Sequence, residues 1–522
     1  MYRLRAQALI FGLIVFAQTG SLTRGSQEHS PVDVPSDDAR FNSEAFGPWK
    51  AFADPFDASK IITEFVAAHN SGKIENLQLL VRKYYDAEFV RSTYGSETNA
   101  AARLLDLYRL YGPVRFHSVQ KDFSPPIHWT QGIETKGWLG LQWRENDSGR
   151  LAHTIWRTRP PSAEVSPALQ GPSLKKALSQ YLLRVESKGN FSGVVLVAKE
   201  GKILFEGAYG YSEANNRRNH INTRFNIGSV TKMLVGTAVL HLVEDGRIKL
   251  DDHIGKYIDE YPSPASQTVT VRHLLTHASG IEFDDLPGFV DARRKAETVE
   301  NILKVQLAYA EQAGIARDDF RPSGEFNYSN DNFEMLGVII QRVTGKPWEQ
   351  VVRESILNPL RLKQTTFAMH PEKGNAAIGY SALLVDTETY SADGRRDARP
   401  LLLKRASPSG QMYSTARDLH SFVRGLLENR LLSVATTREM FKKQISAGEL
   451  QALKLESAYG FGVQISTGYG ITTKGHGGVV PGYSAQLQWY PELGYEVVVL
   501  SNFGDTAAHI VAQRIEDLVT DL

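Results

Sequence analysis

The chain contains no cysteine. That absence excludes disulfides, a thiolate metal site and a lipid-anchoring cysteine. Charge of one sign is equally lacking: Lys and Arg number 59, Asp and Glu 58, for a formal net charge of +1. Nothing in that balance draws the chain to nucleic acid, and no nucleic-acid partner is expected. Long apolar runs are missing except at the start. Arg3 and Arg5 precede an apolar stretch over 8–17 (ALIFGLIVFA), followed by the small, polar Gln18-Thr-Gly-Ser21. The stretch is shorter than the roughly 20 residues that cross a bilayer. Residues 1–22 therefore read as an export signal. The expected location is periplasmic or extracellular, with no stable membrane span once the signal is removed. No Gly-rich phosphate cradle is present, so no cofactor is expected. His273 and His277 stand four apart in what reads as a helix, but the Glu of an H-E-x-x-H pattern is absent and no third ligand stands nearby. No metal site is expected.

What is present suits a globular chain. Hydrophobic residues make up 42% of 522, enough to fill more than one core without covalent staples. Residues 23–55 are polar and Pro-rich and read as a flexible lead-in. Helical spacing over 58–70, 74–85 and 100–111 is followed by alternating strand patterns at 114–119, 127–130, 137–143 and 151–156. Helices followed by strands predict a small α+β accessory domain over 56–160, with Trp129, Trp138, Trp143 and Trp156 in its core. Residues 161–170 read as a linker to a second domain, 171–522. That domain opens with a helix over 173–186 and a hairpin, 191–198 with 202–207. It is mostly helical from 229 to 439 and returns to strands at 460–465, 484–490 and 495–501, with a closing helix over 506–522. Strands at both ends imply one sheet assembled from distant segments.

The chemistry concentrates in three places. Phe225-Asn-Ile-Gly-Ser229-Val-Thr-Lys232 leads into an apolar helical run, so the Lys232 amine and the Ser229 hydroxyl share one helix face a turn apart. A serine needs a base, and a lysine whose pKa falls on burial can supply one. S-x-x-K occurs three times, but Ser118-Val-Gln-Lys121 falls in a strand and Ser173-Leu-Lys-Lys176 opens a surface helix. The only Tyr-x-Asn, Tyr328-Ser-Asn330, ends a turn-rich loop before another apolar helix. Tyr328 can share a proton with Lys232, and Asn330 can donate to a substrate carbonyl. Third is Lys474-Gly-His476-Gly477-Gly478-Val479, where glycines at a strand edge admit a substrate backbone. There the Val479 N–H can join that of Ser229 as an oxyanion hole.

In this order the three motifs resemble the β-lactamase-related serine hydrolases, the superfamily of class C β-lactamases and penicillin-binding proteins. Val269-Thr-Val-Arg-His-Leu-Leu-Thr-His-Ala-Ser-Gly280, Asn358-Pro-Leu-Arg-Leu and Ser407-Pro-Ser-Gly-Gln-Met-Tyr-Ser are similar to further landmarks of that family. The resemblance runs from about 190 to 502. It implies an antiparallel sheet flanked by helices plus an all-helical subdomain, with the active site between them. It makes Ser229 the acylated nucleophile, Lys232 its activating partner, Tyr328 a second proton carrier and Asn330 a substrate donor. Either Lys232 or Tyr328 can serve as base, since the two titrate together. His476-Gly477-Gly478 stands where β-lactamases carry Lys-Thr-Gly, and the missing lysine is the group that holds a carboxylate. The resemblance therefore favours an esterase or D-amino-acid peptidase over an efficient β-lactamase. A slow sensor that keeps its acyl adduct is the alternative from another class. The expected partner is a small-molecule or peptide substrate, selected by insertions at 283–296 and 386–400; nothing in the sequence sets an oligomeric state.

Overall fold

The computed structural model describes residues 55–520, except 95–96, 121–126, 133–137, 146–150, 157–167, 214–215, 285, 287, 313–321, 323, 368–374, 382–395, 451–454 and 505–506. The expected export signal, nearly all of the lead-in and most of the 386–400 insertion lie outside the described residues. The chain divides into two compact units, Met1–Pro160 and Pro161–Leu522.

In the first unit, helices α1 (Pro55–Asn70), α2 (Ile74–Tyr84), α3 (Ala87–Tyr94) and α4 (Glu97–Tyr111) precede strands β1 (Val114–Gln120), β2 (Ile127–Gly132), β3 (Trp138–Glu145) and β4 (Leu151–Trp156). The strands form one antiparallel sheet in sequential order. Helix α3 had no counterpart in the sequence reading. Trp129 and Trp143 are buried, while Trp138 is half-buried with its ring edge-on to His117. The Trp156 side chain lies outside the described residues.

The second unit starts with α5 (Gly171–Ser187), β5 (Gly193–Lys199) and β6 (Lys202–Tyr209). The helical middle is carried by α6 (Thr231–Glu244), α7 (Val271–Leu275), α8 (Phe289–Lys295), α9 (Val299–Gln312), α10 (Asn330–Thr344) and α11 (Ala416–Leu427). Strands β7 (Ile445–Leu450), β8 (Leu455–Tyr459), β9 (Gln464–Gly468), β10 (Ile471–Val480), β11 (Tyr483–Tyr490) and β12 (Tyr495–Ser501) follow, and α12 (Ala507–Val519) closes the chain. The sheet order is β7-β8-β9-β10-β11-β12-β5-β6, antiparallel throughout, so its first and last strands in sequence meet where β12 pairs with β5.

Alternation along the central strands explains why both faces are covered. Val194 and Leu196 of β5, with Val498 and Leu500 of β12, join the core shared with the helical middle. Val195 and Val197, with Val497 and Val499, face the core of α5 and α12. Helix α6 is apolar on nearly every side because it lies inside that first core.

Two expectations change here. The strand predicted over 460–465 is interrupted: Gly460 N–H donates to the Val463 carbonyl at 2.8 Å, a turn that separates β8 from β9. Gly462 in that turn has φ +77°, and a Cβ there would lie 2.9 Å from the Lys232 carbonyl oxygen, so the turn sits directly against α6. His273 and His277 do not share a helix face, because α7 ends at Leu275 and His277 has φ +57°.

Candidate active site

The entry to α6 is fixed by backbone chemistry. Ile227 N–H donates to the Met412 carbonyl at 2.9 Å, and Gly228 N–H to Asn226 Oδ1 at 3.0 Å. Gly228 has φ +50°, the left-handed region that favours glycine. Ser229 then occupies one turn of 3-10 helix, Gly228–Val230, rather than the first turn of α6 itself. Its two neighbours are buried and Ser229 is half-exposed, so its hydroxyl is the accessible group of the turn.

Lys232 is fully buried, yet its amine has three polar neighbours. They are the Ser409 carbonyl at 2.6 Å, Asn330 Oδ1 at 2.9 Å and Ser229 Oγ at 3.2 Å. Asn330 Nδ2 donates to Asp284 Oδ2 at 2.8 Å, which leaves its Oδ1 as the acceptor toward lysine. Burial lowers the Lys232 pKa to about 7; the Glu334 charge opposes the shift and Arg293 adds to it. A neutral amine has two N–H bonds, and the two carbonyl oxygens take both. The lone pair is then left facing Ser229 Oγ, the geometry of a general base.

Tyr328 covers the amine with its ring, whose centroid is 4.9 Å from Lys232 Nζ. Its buried hydroxyl has no hydrogen bond of good geometry. Burial pushes its pKa up, and the Ser229 hydroxyl is the neighbour that pulls it back. Tyr328 is thus a neutral O–H beside Ser229, suited to pass a proton on rather than to act as an anion. Asn330, at the first position of α10, spends both polar groups on Lys232 and Asp284. It is a holder of the amine more directly than a free substrate donor.

Strand β10 pairs with β11 along 474–480, whereas its pairing with β9 stops at Gly475. Residues 476–480 therefore have no strand partner on that side, where Gly477 N–H instead donates to Gln464 Oε1 at 3.1 Å. The Ser229 turn lies against this stretch. A Cβ on Gly478 would run into the Ile227 carbonyl oxygen and lie 3.0 Å from the Ser229 amide nitrogen. One on Gly228 would lie 3.0 Å from the Val479 amide nitrogen. Only glycine at both places lets the two amides come this close. The sequence places His476 among the expected substrate-binding residues. Its ring is fully buried, with Nε2 2.9 Å from Tyr459 Oη and Nδ1 2.6 Å from the Gly477 carbonyl oxygen. Burial and the nearby Lys232 charge hold its pKa near 3, so it supplies no cation for a substrate carboxylate.

A family model described as Beta-lactamase matches residues 178–520. The chain belongs to that family. PbpX of Bacillus subtilis (strain 168) is 28% identical over 335 residues, 63% of this chain and 74% of PbpX. A penicillin binding protein of Bacillus halodurans has 25% identity and a TM-score of 0.56, covering 65% of this chain and 99% of that one. A D-stereospecific amidohydrolase from Streptomyces sp. has 27% identity and a TM-score of 0.51, covering 66% and 98%.

Around this Beta-lactamase-family site lies a ring of charge that the sequence reading did not single out. Carboxylate oxygens of Glu282, Asp284 and Asp331 lie within 4.8 Å of one another. Arg293 Nη1 faces Asp284 Oδ1 at 2.5 Å, an ion pair not aligned as a hydrogen bond. Asp331 accepts from Phe283 N–H and Gln306 Nε2, each at 2.8 Å, and burial with the Asp284 charge raises its pKa to about 7. Burial likewise raises that of Glu334, which accepts from Ser409 Oγ at 2.5 Å. Asp284 and Arg293 both belong to the 283–296 insertion, and Asp331 and Glu334 to α10, one and four residues past Asn330. Their sequence signal was only charge inside an apolar helix pattern.

Proposed function

We propose that the chain is an exported serine hydrolase that cleaves esters or amides through an acyl-enzyme at Ser229. The observation that carries this is the Lys232 amine, held by two carbonyl oxygens with Ser229 Oγ in its third position. Lys232 takes the Ser229 proton as Oγ attacks the carbonyl carbon, and the Ser229 and Val479 amides face the developing oxyanion. The proton passes through the Tyr328 hydroxyl to the departing alcohol or amine. Water then attacks the acyl carbon, loses its proton along the same path, and Oγ leaves with a proton restored.

Substrates that are neutral or carry an amine near the scissile bond fit the charges. The position of a carboxylate-holding lysine is filled by a buried, neutral His476, and the carboxylates of Glu282 and Asp284 stand close to Lys232 and Tyr328. Similarity to a D-stereospecific amidohydrolase supports the same direction. The test compares kcat/KM for a short-chain aryl ester, a D-alanyl amide with a free amine and a chromogenic β-lactam. The ester or the amide is expected to exceed the β-lactam by about tenfold or more, roughly one lost charge-assisted contact. A β-lactam that outruns both overturns the substrate reading. Export is tested by N-terminal sequencing of the protein recovered outside the cytoplasm, with residues 1–22 expected to be missing.

A further inference from the structure

The mechanism leaves one buried network unused. Between the loop that carries Tyr328 and strand β10 stand three buried side chains, His277, Tyr459 and His476, in unbroken hydrogen-bond contact. We infer that His277, Tyr459 and His476 form a one-way hydrogen-bonded strut that sets the position of Tyr328 relative to the oxyanion strand. His277 and Tyr459 are then positioning residues for catalysis.

The direction of the strut follows from its two ends. Ser329 N–H lies 3.1 Å from His277 Nδ1, and a backbone N–H can only donate. Nδ1 is therefore bare, and the proton of this neutral ring sits on Nε2, 3.3 Å from Tyr459 Oη. At the other end a carbonyl oxygen, that of Gly477, lies 2.6 Å from His476 Nδ1 and can only accept. That nitrogen carries the proton, so His476 Nε2 accepts from Tyr459 Oη at 2.9 Å. Tyr459 takes one hydrogen bond and gives one, and every link is satisfied in a single sense.

His277 grips the catalytic loop on both sides of Tyr328. Its carbonyl oxygen accepts from Asn327 N–H at 2.8 Å, its Nδ1 accepts from Ser329 N–H, and its ring lies 4.2 Å from the Tyr328 ring, centroid to centroid. It does so from a left-handed backbone, a conformation that persists in a non-glycine residue only where its surroundings hold it. His476 is three residues before Val479 on the same strand. His277 thus acts on the site through the Tyr328 loop, and His476 through β10.

The inference rests on the hydrolase reading, which Ser229→Ala decides; the strut is decided among variants that keep Ser229. Tyr459→Phe removes one hydroxyl and keeps the ring. On an aryl ester its kcat is expected to fall about tenfold to a hundredfold, the scale of a sub-ångström to 1 Å misplacement, with KM within about twofold of the parent. In a Tyr328→Phe background the same substitution should cost less than about threefold, because the position of a missing hydroxyl no longer matters. Parent-like kcat overturns the strut. So does an equal loss in both backgrounds, which marks a core effect independent of Tyr328. If Tyr459→Phe does not fold, His277→Asn decides by the same cycle. Asn tolerates a left-handed backbone, keeps an acceptor for Ser329 N–H and lacks the donor to Tyr459.

Discussion

At the scale of single residues, burial does most of the tuning. Lys232 is neutral above about pH 7 because water is excluded from its amine. In the proposed mechanism the neutral form is the base, so kcat/KM should fall about tenfold per pH unit below that point and level off above it. No histidine limb is expected at the site, since His277 and His476 are held neutral well below it. A pH–rate profile on a neutral ester, whose own charge is constant, checks this. Tyr328→Phe gives a second prediction, with activity and stability moving apart. It removes a buried hydroxyl that lacks a well-formed hydrogen bond, so the thermal midpoint should hold or rise. Activity should drop about a hundredfold or more with the lost proton carrier. A variant that loses both together would point to damage of the fold instead. The closeness of Ser229 and Lys232 was legible in the sequence because i and i+3 lie a turn apart. His277 and Tyr459 were not, since their partners stand 182 and 17 residues away and only the folded chain joins them.

At the scale of elements, the site depends on how closely a turn and a strand approach. The closing strands flank a clear turn signal, Pro491-Glu-Leu-Gly494, and were legible: the expected 495–501 matches Tyr495–Ser501, and the expected 484–490 starts one residue after Tyr483. Strand β10 was seen only as a glycine motif beside the sheet, because Gly475, Gly477 and Gly478 carry none of the side chains by which strands announce themselves. Those glycines are what the site needs from it. Gly478→Ala places a methyl group against the Ile227 carbonyl oxygen and the Ser229 amide, both backbone and unable to rotate away. The two amides must separate, so kcat should fall about a hundredfold, the usual cost of one oxyanion donor. Steady-state kinetics with thermal melting checks this, and parent-like kcat would contradict the assignment of Val479. The interrupted strand at 460–465 has the same logic: a left-handed glycine at 462 makes room for the start of α6, which the alternation pattern could not show.

At the scale of the whole molecule, every residue assigned to the site belongs to the unit Pro161–Leu522, as do both cores that cover its sheet. That unit expressed without 1–160 is expected to keep the parent kcat on a small ester, measured under identical conditions. Loss of turnover with an intact fold would assign the first unit a part in catalysis. The family was visible from three motifs and their order; the ring formed by Glu282, Asp284, Arg293, Asp331 and Glu334 was not, because no short spacing announces it. The central claim is that Ser229 is acylated. Its most direct measurement is intact and peptide mass spectrometry after treatment with a serine-reactive phosphonate, on the parent and on Ser229→Ala. One adduct on the peptide containing Ser229 in the parent, and none in a folded Ser229→Ala, is the predicted result. An adduct of equal yield on the variant would contradict it.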